Sequence, residues 1–331
     1  MGCRRWQPTF LFNACSWIRG EIMKKYFIAI VSVVLLVPVV LLVPSLLFAR
    51  VEDQFDRTLQ VSGSVNLELT TGSGDVIIKT GGSNQVVVHG RVRSNNEWFG
   101  GNADSLVHSV TSNPPIEQNG GTIRIGYNLP EDAKHHISIS YEVTVPADTT
   151  VQAGSGSGEV QVQGVRSPVK LHTGSGDIRV QDLGPQSHVD TGSGSIRAES
   201  VAAPFSAGTG SGDIQVDLTG SGDVDVHTGS GGIRIRGING GLKSRTGSGE
   251  ISADGSVKGP WQLHSGSGNI RLALSSNGGF NLNVHTSSGS IHSELPIMVQ
   301  GTLGRRELKG SVRGGGPEVE VSTGSGDIDI R

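Results

Sequence analysis

The sequence predicts an all-β protein: a single-stranded parallel β-solenoid of about 18-residue coils, following an N-terminal transmembrane helix. Three observations predict it. The triplet G-S-G recurs with its first glycine at Gly156, Gly174, Gly192, Gly210, Gly229, Gly247 and Gly266, followed by a worn S-S-G copy at Ser287. Self-similarity at that step marks stacked coils, because one short unit cannot bury its apolar face alone. Around each triplet the residues alternate. Val169, Leu171 and Thr173 interleave with Lys170 and His172 before the turn, and Ile178 and Val180 with Asp177 and Arg179 after it. Period 2 is the strand signal, whereas glycine at this density costs about 1 kcal/mol per residue inside a helix. The third observation is the charge-free run from Tyr26 to Ala49. It exceeds the roughly 20 residues that a helix needs to cross a bilayer.

In chain order, residues 1–22 read as an over-long start, because Met23 opens the more conventional signal M-K-K-Y-F-I. Residues 23–49 form a signal anchor, or a signal peptide cut near Ala49. The apolar run is longer than a signal-peptide core, which favours the retained anchor, and Lys24 and Lys25 put its N-terminal end in the cytoplasm. Either way the rest is exported. Both cysteines, Cys3 and Cys15, lie in the first segment, so the exported part has no thiol chemistry. Without residues 1–50 it carries 21 basic against 29 acidic residues, a formal charge of about −8 that does not suit nucleic-acid binding. Residues 50–60 are a short stalk or the start of a capping strand. Residues 61–150 are an irregular N-terminal β segment, interrupted from Ser94 to Gly121 around Trp98 and Phe99. Residues 151–295 are the regular array, and residues 296–331 are degenerate coils and a cap.

Within the array Ile178, Ile196, Ile214, Ile233, Ile251, Ile270 and Ile291 take one equivalent position. They are expected to form an inward ladder, one rung per coil, ~4.8 Å apart. The corner glycines are expected to supply left-handed backbone, and Ser and Asp to cap the turn. The winding is expected to be right-handed.

With the repeats from Ser155 to Ile291, the phrases Thr71–Val76 and Thr323–Ile328 and the segment Tyr141–Pro146 in view, the chain resembles the putative adhesin family of bacterial envelope proteins, a domain family of unknown function. The resemblance covers Val61 to Arg331 and departs from the pattern between Ser287 and Gly316. It implies a β-solenoid and brings no catalytic residues with it.

Candidate chemistry is sparse. Asp213, Asp223 and Asp225 are the densest acidic group and the one calcium candidate, set against plain turn capping. Arg179, Arg197, Arg234 and Arg271 share an outward row, a candidate binding face for a polyanion; the alternative is a solvated face whose guanidinium groups pair with nearby acids. A second row holds His172, Asp190, Gly208, His227, Arg245, His264 and His285. Its last two imidazoles are expected in adjacent coils, as a metal pair or as ordinary surface histidines. No nucleophile motif, phosphate loop or H-E-x-x-H helix occurs.

The expected function is therefore non-enzymatic and cofactor-free: an envelope-anchored binding or adhesin-like scaffold outside the cytoplasm, or secreted if cleaved. Its expected partners are the membrane, through the N-terminal helix, and a surface glycan, envelope polymer or envelope protein. The alternatives are an envelope-stress sensor or regulator acting through a membrane partner and, more remotely, a polysaccharide-active β-helix enzyme.

Overall fold

The computed structural model describes residues 52–331 apart from 83, 95–101, 276–277 and 300–303. The expected transmembrane helix, Trp98 and Phe99 lie outside the described residues. Among the described residues no helix is long and apolar enough to cross a membrane. The fold is all-β and solenoid-like, built from coils of two strands joined at a glycine corner. Strands before the corner form face I and strands after it form face II.

After β1 (Glu52–Gln60), coil 1 comprises β2 (Asn66–Thr71) and β3 (Val76–Thr80). β4 (Gln85–Ser94), α1 (Asn102–Ser112) and β5 (Ile116–Asn119) lead to coil 2, which comprises β6 (Thr122–Ile125), the short α2 (Glu131–His136) and β7 (Ile137–Val145). Coils 3 to 6 pair β8 (Thr150–Ser155) with β9 (Val160–Gln163), β10 (Val169–Thr173) with β11 (Ile178–Gln181), β12 (Ser187–Thr191) with β13 (Ile196–Ala202), and β14 (Phe205–Thr209) with β15 (Ile214–Thr219). β16 (Val224–Thr228) opens coil 7. β17 (Ile233–Thr246) runs from coil 7 into coil 8, β18 (Ile251–Ser267) runs from coil 8 into coil 9, and β19 (Ile270–Leu274) closes coil 9. Coil 10 is β20 (Phe280–Ser288) and β21 (Ile291–Ser293). The strands β22 (Met298–Val299) and β23 (Glu307–Val312) precede coil 11, β24 (Glu318–Ser325) with β25 (Ile328–Ile330).

The coils do not stack in chain order. β2 lies between β6 and β8, and β3 between β7 and β9, so coil 1 is sandwiched by coils 2 and 3. At the other end β24 lies between β18 and β20, and β25 between β19 and β21, so the last coil inserts between coils 9 and 10. All these pairings are parallel. Antiparallel strands cover the ends, β4 and β1 beyond β7, β5 beyond β6, and β23 and β22 beyond β20, which leaves fewer open parallel edges. The amphipathic α1 adds Val107 and Val110 to the core.

The aliphatic ladder is present, with one correction. From Ile178 to Ile270 the isoleucines are successive partners, but the next rung is Ile328, and Ile291 follows it. Tyr141 ends the ladder at the other side, over Val76, fully buried and edge-on to Phe55 at 6.4 Å.

The corner glycines differ from the expectation too. In the regular triplets they do not occupy left-handed backbone; of the G-S-G triplets only an additional one, Gly220-Ser221-Gly222 at the opposite corner, does, with Gly220 at φ 77° and Gly222 at φ 155°. The regular pair is glycine because the coils touch there. A Cβ on Gly174 would overlap the carbonyl oxygen of Gly156, and one on Gly176 would overlap that of Gly158; the same collision repeats at Gly192 and Gly194 and at Gly210 and Gly212. The preceding threonine is a buried polar rung. Thr191 Oγ1 donates to the Gly176 carbonyl at 2.8 Å and accepts the Gly194 N–H at 3.1 Å, and Thr209 does the same with Gly194 (2.8 Å) and Gly212 (3.2 Å). Each hydroxyl thus ties its own corner to the coil beneath.

A denaturant titration of the segment from Val51 onward tests the corner and the inserted coil together. Gly212→Ala should cost about 3 kcal/mol through overpacking, and Thr209→Val about 1 to 3 kcal/mol through two unpaired backbone groups. The exposed Ser211 between them should tolerate alanine within about 0.5 kcal/mol. Deleting residues 318–331 removes an inner coil and strands coil 10. The denaturant slope should therefore fall by more than one coil's share, whereas loss of an ordinary end coil would lower it by one share only.

Candidate functional site

Since the interior is largely aliphatic, its threonine row is hydrogen-bonded to the backbone and the ladder uses the rest, chemistry is left to the outward rows. On face II, Arg179, Arg197, Gln215, Arg234, Ser252 and Arg271 line up coil by coil, and Asp329 and His292 complete the row. Arg179 pairs with Glu159 and with Asp177 (3.7 Å), Arg197 with Glu199, and Arg271 with Glu250 and with Asp329 (4.0 Å). Of the four arginines only Arg234 makes no ion pair among the described residues. The row is an interleaved surface of both signs, and such exposed pairs contribute about 0 to 1 kcal/mol each.

The three candidate calcium ligands are not gathered. Asp213 sits at the glycine corner, its Oδ1 accepting the Gly232 N–H at 2.7 Å. Asp223 stands at the opposite corner and accepts the Gly241 N–H at 2.9 Å. Asp225 projects from face I, 3.6 Å from Lys243 Nζ. Among the described residues no group of three or more His, Cys, Asp or Glu side chains is placed to hold a metal.

The turn acids act between coils. Asp75, Asp177 and Asp327 each accept the backbone N–H of the equivalent residue in the neighbouring coil, Glu159, Ser195 and Ser290, at 2.9 Å. Asp327 also accepts the Ser290 hydroxyl at 2.7 Å, and the two bonds hold its carboxyl below the usual aspartate range. A lowered folded pKa gives stability that is full above the unfolded value and lost as pH falls through the folded one. Urea midpoints should therefore drop across the acid range, and Asp327→Asn should remove part of that dependence.

The histidine row is corrected by the same insertion. His264 and His285 are not in adjacent coils; Ser322 lies between them, its Oγ 2.9 Å from His264 Nδ1.

Sequence reasoning passed over a neighbouring column on face I: Lys170, His188, Ser206, Asp225, Lys243 and Gln262. Beside it runs a trough of about 700 Å³ from Gln186 to Pro260 and Gln262, crossing coils 5 to 9. His188 there contacts Asp190 through Nε2 and Ser206 through Nδ1. The trio has the connectivity of a nucleophile, a base and an orienting acid. Acyl transfer also needs donors for a developing oxyanion. Strands pair in parallel on both sides of β14, which uses the amides around Ser206 in the ladder. The trio therefore reads as hydrogen-bonding surface. The column's residues recur in the sequence at steps of 18 to 19, from Lys170 to Gln262.

A stack of two-strand coils with a locked backbone and mixed polar faces defines a solenoid repeat protein. The chain belongs to the family described as Toastrack DUF4097, whose model matches residues 66–331. This bears out the resemblance read from the repeats. Two solved structures are similar. One is a putative cell adhesion protein from Clostridium sporogenes ATCC 15579, 13% identical, covering 85% of this chain and 99% of that chain with a TM-score of 0.22. The other is a putative adhesin from Bacteroides fragilis NCTC 9343, 10% identical, covering 84% of this chain and 97% of that chain with a TM-score of 0.32. No curated protein matches the chain.

Proposed function

We propose that this protein is a non-enzymatic binding or scaffold module of the bacterial cell envelope. In this reading the segment from Tyr26 to Ala49 tethers it, the stack stands outside the cytoplasm, and no cofactor takes part. The observation that carries the binding role is the trough on face I, which crosses five coils and is edged by a different polar side chain at each. A scaffold with repeating hydrogen-bonding groups along one axis suits an extended partner more than a compact small molecule. Face II supports the reading less, because three of its four arginines are matched by carboxylates.

Protease added to intact cells should digest the repeat domain while a cytoplasmic marker survives; protection of both would contradict export. Immobilised full chain should retain carbohydrate-containing polymer from envelope extracts. Recovery of one defined membrane protein in its place would favour a regulatory role through a partner.

A further inference from the structure

We infer that the trough on face I is a binding site for an uncharged linear oligosaccharide lying along the stack axis, with about one sugar unit per coil. This rests on the proposed binding role and names its site and ligand class.

Shape comes first. Four inter-coil steps of ~4.8 Å give the trough a length of ~19 Å. It holds about 700 Å³ and is open to solvent along that length. A linear polymer laid along the stack axis meets each of its coils in turn, whereas a compact ligand meets only one or two.

The chemistry then separates an extended peptide from an extended glycan. Peptides that bind as strands use an exposed sheet edge, where free N–H and C=O groups pair with the ligand backbone. The trough lies on a sheet face, and its floor strands β12, β14, β16 and β17 are paired with neighbours in register. Proline-rich peptides need an aromatic-lined groove. The one aromatic residue lining the trough, Phe205, is buried with its ring in the core. What the trough offers is side chains: the Ser206 hydroxyl, the Asp225 carboxylate, the Lys243 ammonium and the Gln262 amide, one per coil, with the pyrrolidine rings of Pro204 and Pro260 beside them. A row of separate donors and acceptors beside apolar patches matches sugar hydroxyls and the C–H faces of pyranose rings. The coil step is also close to the length of one ring in an extended chain.

Charge excludes the polyanion alternative on this face. Asp225 and Lys243 stand 3.6 Å apart and offset each other, and Asp223 is turned to the Gly241 amide. With two carboxylates and one ammonium, the lining carries no positive excess to attract sulfate, phosphate or uronate.

The test is calorimetric titration of the full chain in detergent with chitotetraose and cellotetraose, and in parallel with dextran sulfate and an extended unstructured peptide. At least one neutral tetrasaccharide should bind, with affinity changing less than about two-fold between 50 and 500 mM salt, since no charge is neutralised. Gln262→Ala and Ser206→Ala should each weaken it about five-fold, as loss of one hydrogen bond does, while Arg197→Ala on face II should leave it unchanged. Ser206→Trp, which fills the trough, should abolish it; Gln262→Ala, at an exposed position, tests the same site should the tryptophan variant fail to fold. Binding of dextran sulfate alone, lost at high salt and in Arg197→Ala, would overturn this inference and leave a binding module standing. Binding of the peptide alone would do the same. Failure of all four probes, together with no polymer retained from envelope extracts, would bring down the binding role as well.

Discussion

The separation between coils at the glycine corner is the constraint on which the rest of the structure depends. Parallel strands hydrogen-bond at ~4.8 Å, and a tight corner held to that spacing brings backbone onto backbone. Neither glycine of a regular triplet, from Gly156 to Gly268, can carry a Cβ without meeting a carbonyl of the coil beneath. A bulkier corner would pry the coils apart and break both ladders at once. The threonine before the triplet answers the second difficulty, a buried corner with carbonyl and amide groups in need of partners. One hydroxyl satisfies an acceptor below and a donor in its own coil. The phrase T-G-S-G is thus a stacking device, with serine at its exposed middle position.

Once the corner fixes the spacing, coils become interchangeable, and the chain uses that freedom at both ends. The first coil is enclosed by the second and third, and the last by the ninth and tenth. The most regular outlying phrases, Thr71–Asp75 and Thr323–Asp327, therefore occupy interior positions. Less regular coils face outward with antiparallel strands over them. An open end of a parallel stack invites another chain to add to it, so burying the best copies and exposing the worst works against fibre-like growth. It also makes assembly non-local, because the C-terminal coil must reach back between coils already made.

This freedom explains what the sequence shows and what it hides. Alternation, the aliphatic ladder and the outward rows depend on local period, so Ile178 to Ile270 and Arg179 to Arg271 could be placed from spacing alone. Chain order in the stack could not. Ile291 and Ile328 both close a T-x-S-G-x-I phrase and either would fit beside Ile270; only the intact glycine pair and aspartate before Ile328 favour it. The error over His264 and His285 has the same source. The glycine role was hidden for another reason: left-handed backbone and close approach both demand glycine, and sequence does not separate them. The extra triplet at Gly220 takes the first role and the regular array the second.

The two faces divide what remains. On face II, arginines alternate with acids placed at the turn or one coil away, so much of the charge is satisfied within the protein. On face I, the column from His188 to Gln262 changes residue type at every coil while the backbone beneath stays constant. The interior does not depend on those outward side chains for its packing. Substitution there alters the hydrogen-bonding pattern of the surface without disturbing the stack. A fold whose stability resides in its corners and its aliphatic interior leaves this column free to differ from coil to coil.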